Sequence, residues 1–387
     1  MRTVNFCCFY ERQRENPQFS FIRRAVFALL CGVVLVTTSS IQAVAFDQCP
    51  SPQFGVTGIS VDQTSQTAED AQIEGMRKAA VTGFSRILSR LLQSPAAVDE
   101  FLALNDPDQF VDFFRIAEEN SLEGRYIAVL DYCFDAPRLR AAFRETGLPW
   151  AELKSPRILV LPVWLAPDGA RAWQRDNDWL NGWREAVAEA DGLVDFTVLE
   201  PTILNERSLR AEDLAAAEPA TLRRAATVAG ADQIMLVTAR LDYQGARQVL
   251  AVDGELFTDK ATSLTLLARM VDQPVLGDLT TQLALARSQI LGELEAGWHS
   301  ANIIEGSETR QITVEVPVTT LTQWASRLEA FGSIAVIDEY VVRTLDIRGG
   351  LVSMTVVGNP AAFANALAAF NLKFTEREGD IPVIEPL

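Results

Sequence analysis

The chain has 387 residues, 34 basic against 51 acidic, and a formal net charge of −17 with 48% hydrophobic residues. Its length allows two or three compact domains with real cores. The acidic balance argues against nucleic acid and anionic lipid surfaces as partners, since both need basic patches.

Arg23 and Arg24 precede an apolar run from Ala25 to about Thr37, and Ala43-Val44-Ala45 supplies the small-x-small pattern a signal peptidase reads. At roughly 13 residues the run falls short of the ~20 needed to span a bilayer. Residues 1–45 therefore read as a cleavable signal peptide, with Phe46 first in a periplasmic mature chain that has no integral span. An uncleaved signal that anchors the chain in the inner membrane is the alternative. Cys31 follows Leu30, where lipoprotein acylation wants a small residue, and Val26 sits where a twin-arginine signal wants Phe. Five Arg against two Glu give this leader +3, which leaves −20 for the remainder of the −17 total. Cys7, Cys8 and Cys31 leave with it. The remaining pair, Cys49 and Cys133, predicts one disulfide in an oxidising compartment. Closing so long a loop contributes up to ~4 kcal/mol in the chain-entropy model; the alternative is two unrelated buried thiols.

The first domain, 46–152, opens with an extended stretch from Phe54 to Val61. Thr67 and Asp70 stand in capping-box spacing before a long amphipathic helix, with Ile73, Met76, Ala80, Phe84, Ile87 and Leu91 on its core face. Strands follow over Phe110 to Ala117 and Arg125 to Phe134, then a helix with Pro137 in its first turn and Gly147 closing it. The order βαββα predicts an α+β unit.

The second domain, 153–302, begins with a buried-type strand from Arg157 to Leu165. A helix around Trp179 to Ala190, a strand Phe196 to Leu199, a helix Pro219 to Ala229 stopped by Gly230, and a strand Gln233 to Arg240 come next. Two β segments, Val249 to Phe257 and Ser263 to Met270, turn around Asp259-Lys260, and a helix Leu279 to Trp298 closes a two-layer or three-layer α/β domain. The last domain, 308–387, reads βαββαβ, the ferredoxin-like order. Its strands are Gln311 to Pro317, Ile334 to Val342, Leu351 to Val357 and Leu372 to Thr375, and its helices are Leu321 to Phe331 and, capped by Asn359 with Pro360 at its first position, Ala361 to Phe370. The fold class is thus α+β and α/β, multi-domain.

Three passages, "AEDAQIEGMRKAAVTGFSRILSRL" from Ala68, "RYIAVLDYCFDAPRLRAAFRETGLPW" from Arg125 and "RILVLPVW" from Arg157, resemble the domain of unknown function 2066 family across Phe54 to Phe257. The resemblance implies an exported bacterial protein and brings no catalytic signature. "TLRRAATVAGADQIMLVTARL", Thr221 to Leu241, with the hairpin behind it, is similar to the amino-terminal domain of TolB and to the curli-secretion lipoproteins. That likeness implies a domain acting through protein contacts.

The search for chemistry returns little. His299, the only histidine, ends a helix and cannot serve adjacent Ser300, because neighbours on a helix do not face each other; it reads as a cationic helix end. Nucleophile elbow, HExxH and phosphate loop are missing, and two cysteines with one histidine do not make a closed zinc site. No catalytic, cofactor or metal residue is assigned. Arg175-Asp176-Asn177-Asp178 fails as a calcium loop, because Leu180 falls at a ligand position and no Glu closes it; Asn177 or Asp178 caps the next helix instead. Trp164, Trp173, Trp179 and Trp183 crowd together, either exposed to stack on a glycan or buried as core. The leading expectation is a non-catalytic envelope protein that binds other proteins. A glycan or peptidoglycan binder using the Trp cluster is second, and a hydrolase using paired carboxylates third.

Overall fold

The computed structural model describes residues 49–258, 265–275, 277–306, 309–377 and 379–387. The leader, and the turn expected at Asp259-Lys260, lie outside the described residues. Cys49–Leu387 forms one compact unit built on three sheets.

The first sheet carries β1 (Gly55–Thr64), α1 (Ala68–Leu91), α2 (Pro95–Leu104), β2 (Val111–Leu122), β3 (Arg125–Phe134) and α3 (Ala136–Thr146), with antiparallel order β1-β3-β2. Thr67 Oγ1 accepts the Asp70 amide at 3.1 Å, as the capping-box spacing predicts, and Gly147 ends α3 in the left-handed region. Two expectations need correction. The order is βααββα, because Ser94 and Pro95 start the unforeseen α2 and bury Val98 and Phe101. Ile73, placed in the core from periodicity, is 60% exposed. The early turns of α1 instead press Ala71, Gly75, Ala79 and Gly83 onto the sheet. A Cβ on Gly75 would meet Tyr126 Cδ1 and Val61 Cγ1 at 2.9 Å, so large residues on the sheet are accommodated by small ones on the helix. Farther along, rings take over: Phe84 packs on Phe110 and Phe134 at 5.3 Å each, and Phe101 on Phe143 at 5.1 Å, which reaches Trp150 at 5.7 Å. Cys49 is bonded to Cys133, with Cα atoms 5.6 Å apart, inside the ~4.4–6.8 Å disulfide range.

The middle sheet holds β4 (Ile158–Ala166), β5 (Gly169–Arg171), α4 (Asp178–Glu189), β6 (Phe196–Val198), α5 (Ile203–Ser208), α6 (Ala211–Ala215), α7 (Pro219–Ala229), β7 (Gln233–Gln244), β8 (Arg247–Thr258), β9 (Thr265–Pro274) and α8 (Leu279–Ala301). Its order is β5-β4-β7-β8-β9, with β6 also on β4. Strands β4, β6 and β7 are parallel, and β8 and β9 add antiparallel. Alternate residues of β4 enter two different cores. Ile158 and Val160 meet Trp179, Trp183 and Ile290 under α4 and α8, while Leu159, Leu161 and Val163 meet Leu214, Leu222 and Ala225 under α6 and α7. Burial on both faces explains the unbroken apolar run of β4, and the domain has three layers.

The last sheet holds β10 (Thr309–Pro317), α9 (Leu321–Ser333), β11 (Ile337–Asp346), β12 (Gly349–Val357), α10 (Pro360–Ala369), β13 (Leu372–Thr375) and β14 (Val383–Pro386). The βαββαβ order is present, with Asn359 capping α10 as expected, plus one strand more. The tail doubles back so that β14 lies between β10 and β13, and the order becomes β11-β12-β10-β14-β13. Val383 and Ile384 are fully buried there. Wherever a strand pairing shifts register, in β1, β2, β9 and β11, the extra residue sits on the rim strand of its sheet.

The first and last domains drawn on sequence, 46–152 and 308–387, share one core, whereas the two cores of the middle domain lie within 153–302. Phe54, Phe84, Phe143 and Trp150 belong to the same apolar cluster as Ile304, Val336, Phe363 and Ile384. The connecting segment is held at several of its residues. Trp150 and Ile304 exchange backbone hydrogen bonds of 3.2 and 2.7 Å, Ala151 donates to Leu91 O at 3.0 Å, and Leu153 O accepts Trp298 Nε1 at 2.6 Å. Glu152 accepts from Arg140 and from Trp150 Nε1 at 3.0 Å. Arg90, 8% exposed, donates to Gln53 O, Gly55 O and Asp191 O and pairs with the Asp191 carboxylate. His299, in the last turn of α8 as expected, is buried here with Nε2 2.8 Å from Leu91 O and ties the helix end to α1.

Gly-to-Ala substitution should change sign with position. Gly75→Ala is expected to lower stability by about 1–3 kcal/mol through overpacking. Gly292→Ala, in a helical site with open space around its Cβ, should raise it by about 0.5–1 kcal/mol through lost unfolded-state entropy. Denaturant titrations of both variants check the pair of signs.

Candidate functional site

The chain leaves β4 through α4 toward β6 on one side, then crosses by α7 to β7 on the other. Such a reversal of strand order opens a crevice beyond the carboxyl ends of the strands, where ligands of open α/β sheets bind. A hollow of about 160 Å³ lies there, lined by Trp164, Arg171, Gln174, Asp176, Trp179 and Leu283 among others. Trp164 comes from the end of β4 and Arg171 from β5. The starts of α4 and α8 supply the rest of the wall.

The loop into α4 is fixed by its own hydrogen bonds. Asn177 Oδ1 caps the helix by accepting the amides of Trp179 and Leu180 at 3.1 and 3.4 Å, and its own amide donates to Gln174 O at 3.1 Å. Asn181 Nδ2 adds a bond to Arg175 O at 2.9 Å. The Arg171 guanidinium grips Asp168 at 2.8 Å, and this hydrogen bond holds the Asp168 carboxyl below its ordinary range.

Of the four tryptophans, the structure exposes none fully. Trp179 and Trp183 are core residues in edge contact at 5.5 Å, with Trp179 Nε1 donating to Val237 O at 3.1 Å. Trp173 is 8% exposed and donates to Leu209 O at 2.6 Å on the opposite face of the sheet. Of the two readings of Trp164, Trp173, Trp179 and Trp183, the buried one holds and the glycan-stacking one does not: the rings fill two different cores, and only half-buried Trp164 and one side of Trp179 reach the hollow.

Behind the hollow, buried Arg287 of α8 lays its guanidinium 5.8 Å from the Trp179 ring centre and against Gly182 of α4. A side chain on Gly182 would collide with it. Among the described residues no carboxylate lies within ion-pair distance of this cation, and burial lowers its pKa below the ordinary arginine value. Arg171, Gln174, Leu283 and Arg287 were not singled out on sequence. The one local sign was Gly182 inside an otherwise apolar helix face.

The lining offers a guanidinium, two amides, two exposed carboxylates and apolar walls, and among the described residues it contains no hydroxyl, thiol or imidazole. Those groups can recognise a polar partner, and they supply no nucleophile with an adjacent base. Among the described residues no cluster of three or more His, Cys, Asp or Glu is placed to hold a metal ion, and no helix is long and apolar enough to cross a membrane.

No family model matches the chain, and no curated protein matches it. Among solved structures, lipoprotein GNA1162 from Neisseria meningitidis is similar over 36% of this chain and 98% of its own length, with 15% identity and a TM-score of 0.23. A likeness that loose carries no argument about fold or function.

Replacing Arg287 by Met, which keeps the stem and removes a desolvated charge, is expected to leave the melting temperature equal or higher. Trp179→Ala should cost about 3–5 kcal/mol through cavity formation. Thermal melts of the two variants distinguish a filler cation from one the core depends on.

Proposed function

We propose that this chain is an exported envelope protein of the periplasm that works without catalysis, as a scaffold gripping another protein at the carboxyl end of its middle sheet. The observation that carries this reading is the overhang of the β7–β8 hairpin. Pairing of β4 with β7 stops at Leu165 and Arg240, while β7 and β8 continue together to Gln244 and Arg247. The tip thus stands beyond the sheet with Tyr243 72% exposed. Ile203 and Leu204 of α5, 69% and 74% exposed, follow β6, which runs parallel to β4 and β7. Exposed apolar residues and a projecting hairpin are features of protein recognition surfaces. The likeness of Thr221 to Leu241 to envelope domains that act through protein contacts points the same way.

Export is supported by the arginine pair, the short apolar run and Ala43-Val44-Ala45, and a bonded Cys49–Cys133 pair suits an oxidising compartment. The mature protein purified from cells is expected to begin at Phe46. Amino-terminal sequencing that still read residues from Ala25 to Ala45 would place the protein on the inner membrane instead.

The docking surface is tested by photo-crosslinking in living cells from a benzoylphenylalanine placed at Tyr243, at Leu204, or at exposed Ile73 on the first sheet's helix. The same protein adduct should recur from 243 and 204 and not from 73. Equal capture from all three positions, or capture from none, removes the proposal.

A further inference from the structure

The first sheet is roofed over part of its width. Helix α1 lies over β1 and β3: a Cβ on Gly75 would meet Tyr126 Cδ1 and Val61 Cγ1 at 2.9 Å, and one on Gly83 would meet Ile59 Cδ1 at 2.7 Å. Toward the carboxyl end of α1 the roof widens, with the rings of Phe101 from α2 and of Phe110 lying 6.2 and 5.3 Å from Phe84. Toward its amino end the inner face of β2 stays open. Phe114 and Ile116, opposite Tyr132 and Leu130 on the core side of the sheet, are 45% and 36% exposed. Phe114 stacks on Tyr132 at 5.7 Å, the Tyr132 hydroxyl donates to Met76 O at 2.8 Å, and Ile73, 60% exposed, stands one turn before Met76. The apolar stripe of α1 thus runs past its covered half onto a bare shelf shared with β2.

The border of this shelf is acidic. Glu69 lies one turn before Ile73, and Glu119 accepts Gln72 Nε2 at 3.0 Å between α1 and β2. Burial, and then the charge of Asp108, push the Tyr132 hydroxyl up to about 12, and burial and then Glu119 raise that of Tyr126. Arg77, one turn after Ile73, is the cation on this side, while Lys78 acts on Asp62 of β1. Three carboxylates against one guanidinium favour a basic occupant. They repel an anionic lipid surface and a second copy of a chain with a net charge of −17.

We infer that this shelf docks a helix of another protein, with its apolar residues over Ile73, Phe114 and Ile116 and its lysines or arginines toward Glu69, Asp108 and Glu119. A strand does not fit. The pairing of β2 is interrupted between Val111 and Phe113 and again between Ile116 and Glu118, which breaks the run of free amides and carbonyls that strand addition requires. A helix docks through side chains alone. Neighbouring strands lie about 4.8 Å apart and packed helices about 8–10 Å apart, so a helix set beside α1, itself over β1 and β3, falls over β2. Apolar residues at i, i+3 and i+4 of that helix then face the shelf. The shelf lies on a different sheet from the docking surface proposed above and takes a different partner, so either can fail without the other.

The test is titration of the purified native protein, read by fluorescence anisotropy, with labelled peptides of about 14 residues: an amphipathic Leu–Lys helix, a Leu–Glu helix of the same pattern, and a scrambled Leu–Lys sequence. The Leu–Lys helix is expected to saturate with a dissociation constant of about 100 μM or tighter, and the other two to bind about tenfold more weakly or less. Ile73→Ser combined with Ile116→Ser should weaken the Leu–Lys helix about tenfold or more, and Ile73→Ser alone, at the more exposed position, about threefold or more. Leu285→Ser, which removes a 63% exposed leucine from α8, should leave binding unchanged. Equal affinity for the Leu–Glu or scrambled peptide, full affinity in the Ile73→Ser variants, or an equal loss in Leu285→Ser each overturns the inference. A dimer in sedimentation equilibrium, or binding to phosphatidylglycerol vesicles, that Ile73→Ser abolishes gives the shelf to a second copy or to lipid and overturns it as well.

Discussion

The structure depends on the hydrogen bonds that tie the segment Trp150 to Ser155 to distant parts of the chain. The segment belongs to no sheet, yet it runs through the interior, where an unmatched amide or carbonyl costs about 1–3 kcal/mol. Trp150 pairs with Ile304, Ala151 with Leu91, Leu153 with Trp298, and Ser155 with Leu193. Each partner belongs to a different part of the chain. Satisfying one segment thereby fixes where the end of α1, the end of α8 and the start of the last sheet must lie. Arg90 does the same work with a charge, and it is tolerated in the interior because four of its five donors are spent on carbonyls and on Asp191.

Two buried arginines show how differently one residue type can be housed. Arg90 has three backbone acceptors and a carboxylate, whereas Arg287 has an aromatic face and room left by Gly182. A cation over a ring gains about 0.5–2 kcal/mol, less than a desolvated guanidinium requires. The first arginine organises its surroundings, and the second is accommodated by them.

Much of the fold was legible where the signal is local. Thr67 and Asp70 marked the start of α1, Pro219 and Gly230 bracketed α7, and Asn359 with Pro360 opened α10. The reading failed where neighbours in space decide. Ile73 fits the helical period of the apolar stripe, but Tyr126 and Val61 select glycine and alanine on that side. Ser94-Pro95 carried a start signal for α2 that was passed over between two stronger elements. Four residues at the tail gave no periodicity to recognise as β14, and their partner β10 lies some seventy positions away. The tryptophans were correctly grouped in sequence yet point into separate cores, because α4 and the loop before it approach the sheet from different faces. The lining of the crevice joins residues 164 to 179 with 279 and 283, and no local pattern ties those stretches together.

The rims of the three sheets share a trait whose effect reaches beyond the single molecule. Every long outer strand, β1, β2, β9 and β11, is interrupted by an inserted residue, and the remaining outer strands, β5, β6 and β13, span four residues or fewer. An interrupted or stubby border offers no straight run of free amides and carbonyls for a foreign strand to zip onto. Molecules of this kind can be concentrated against one another with little tendency to knit into fibrils, so the kinks act as insulation between copies.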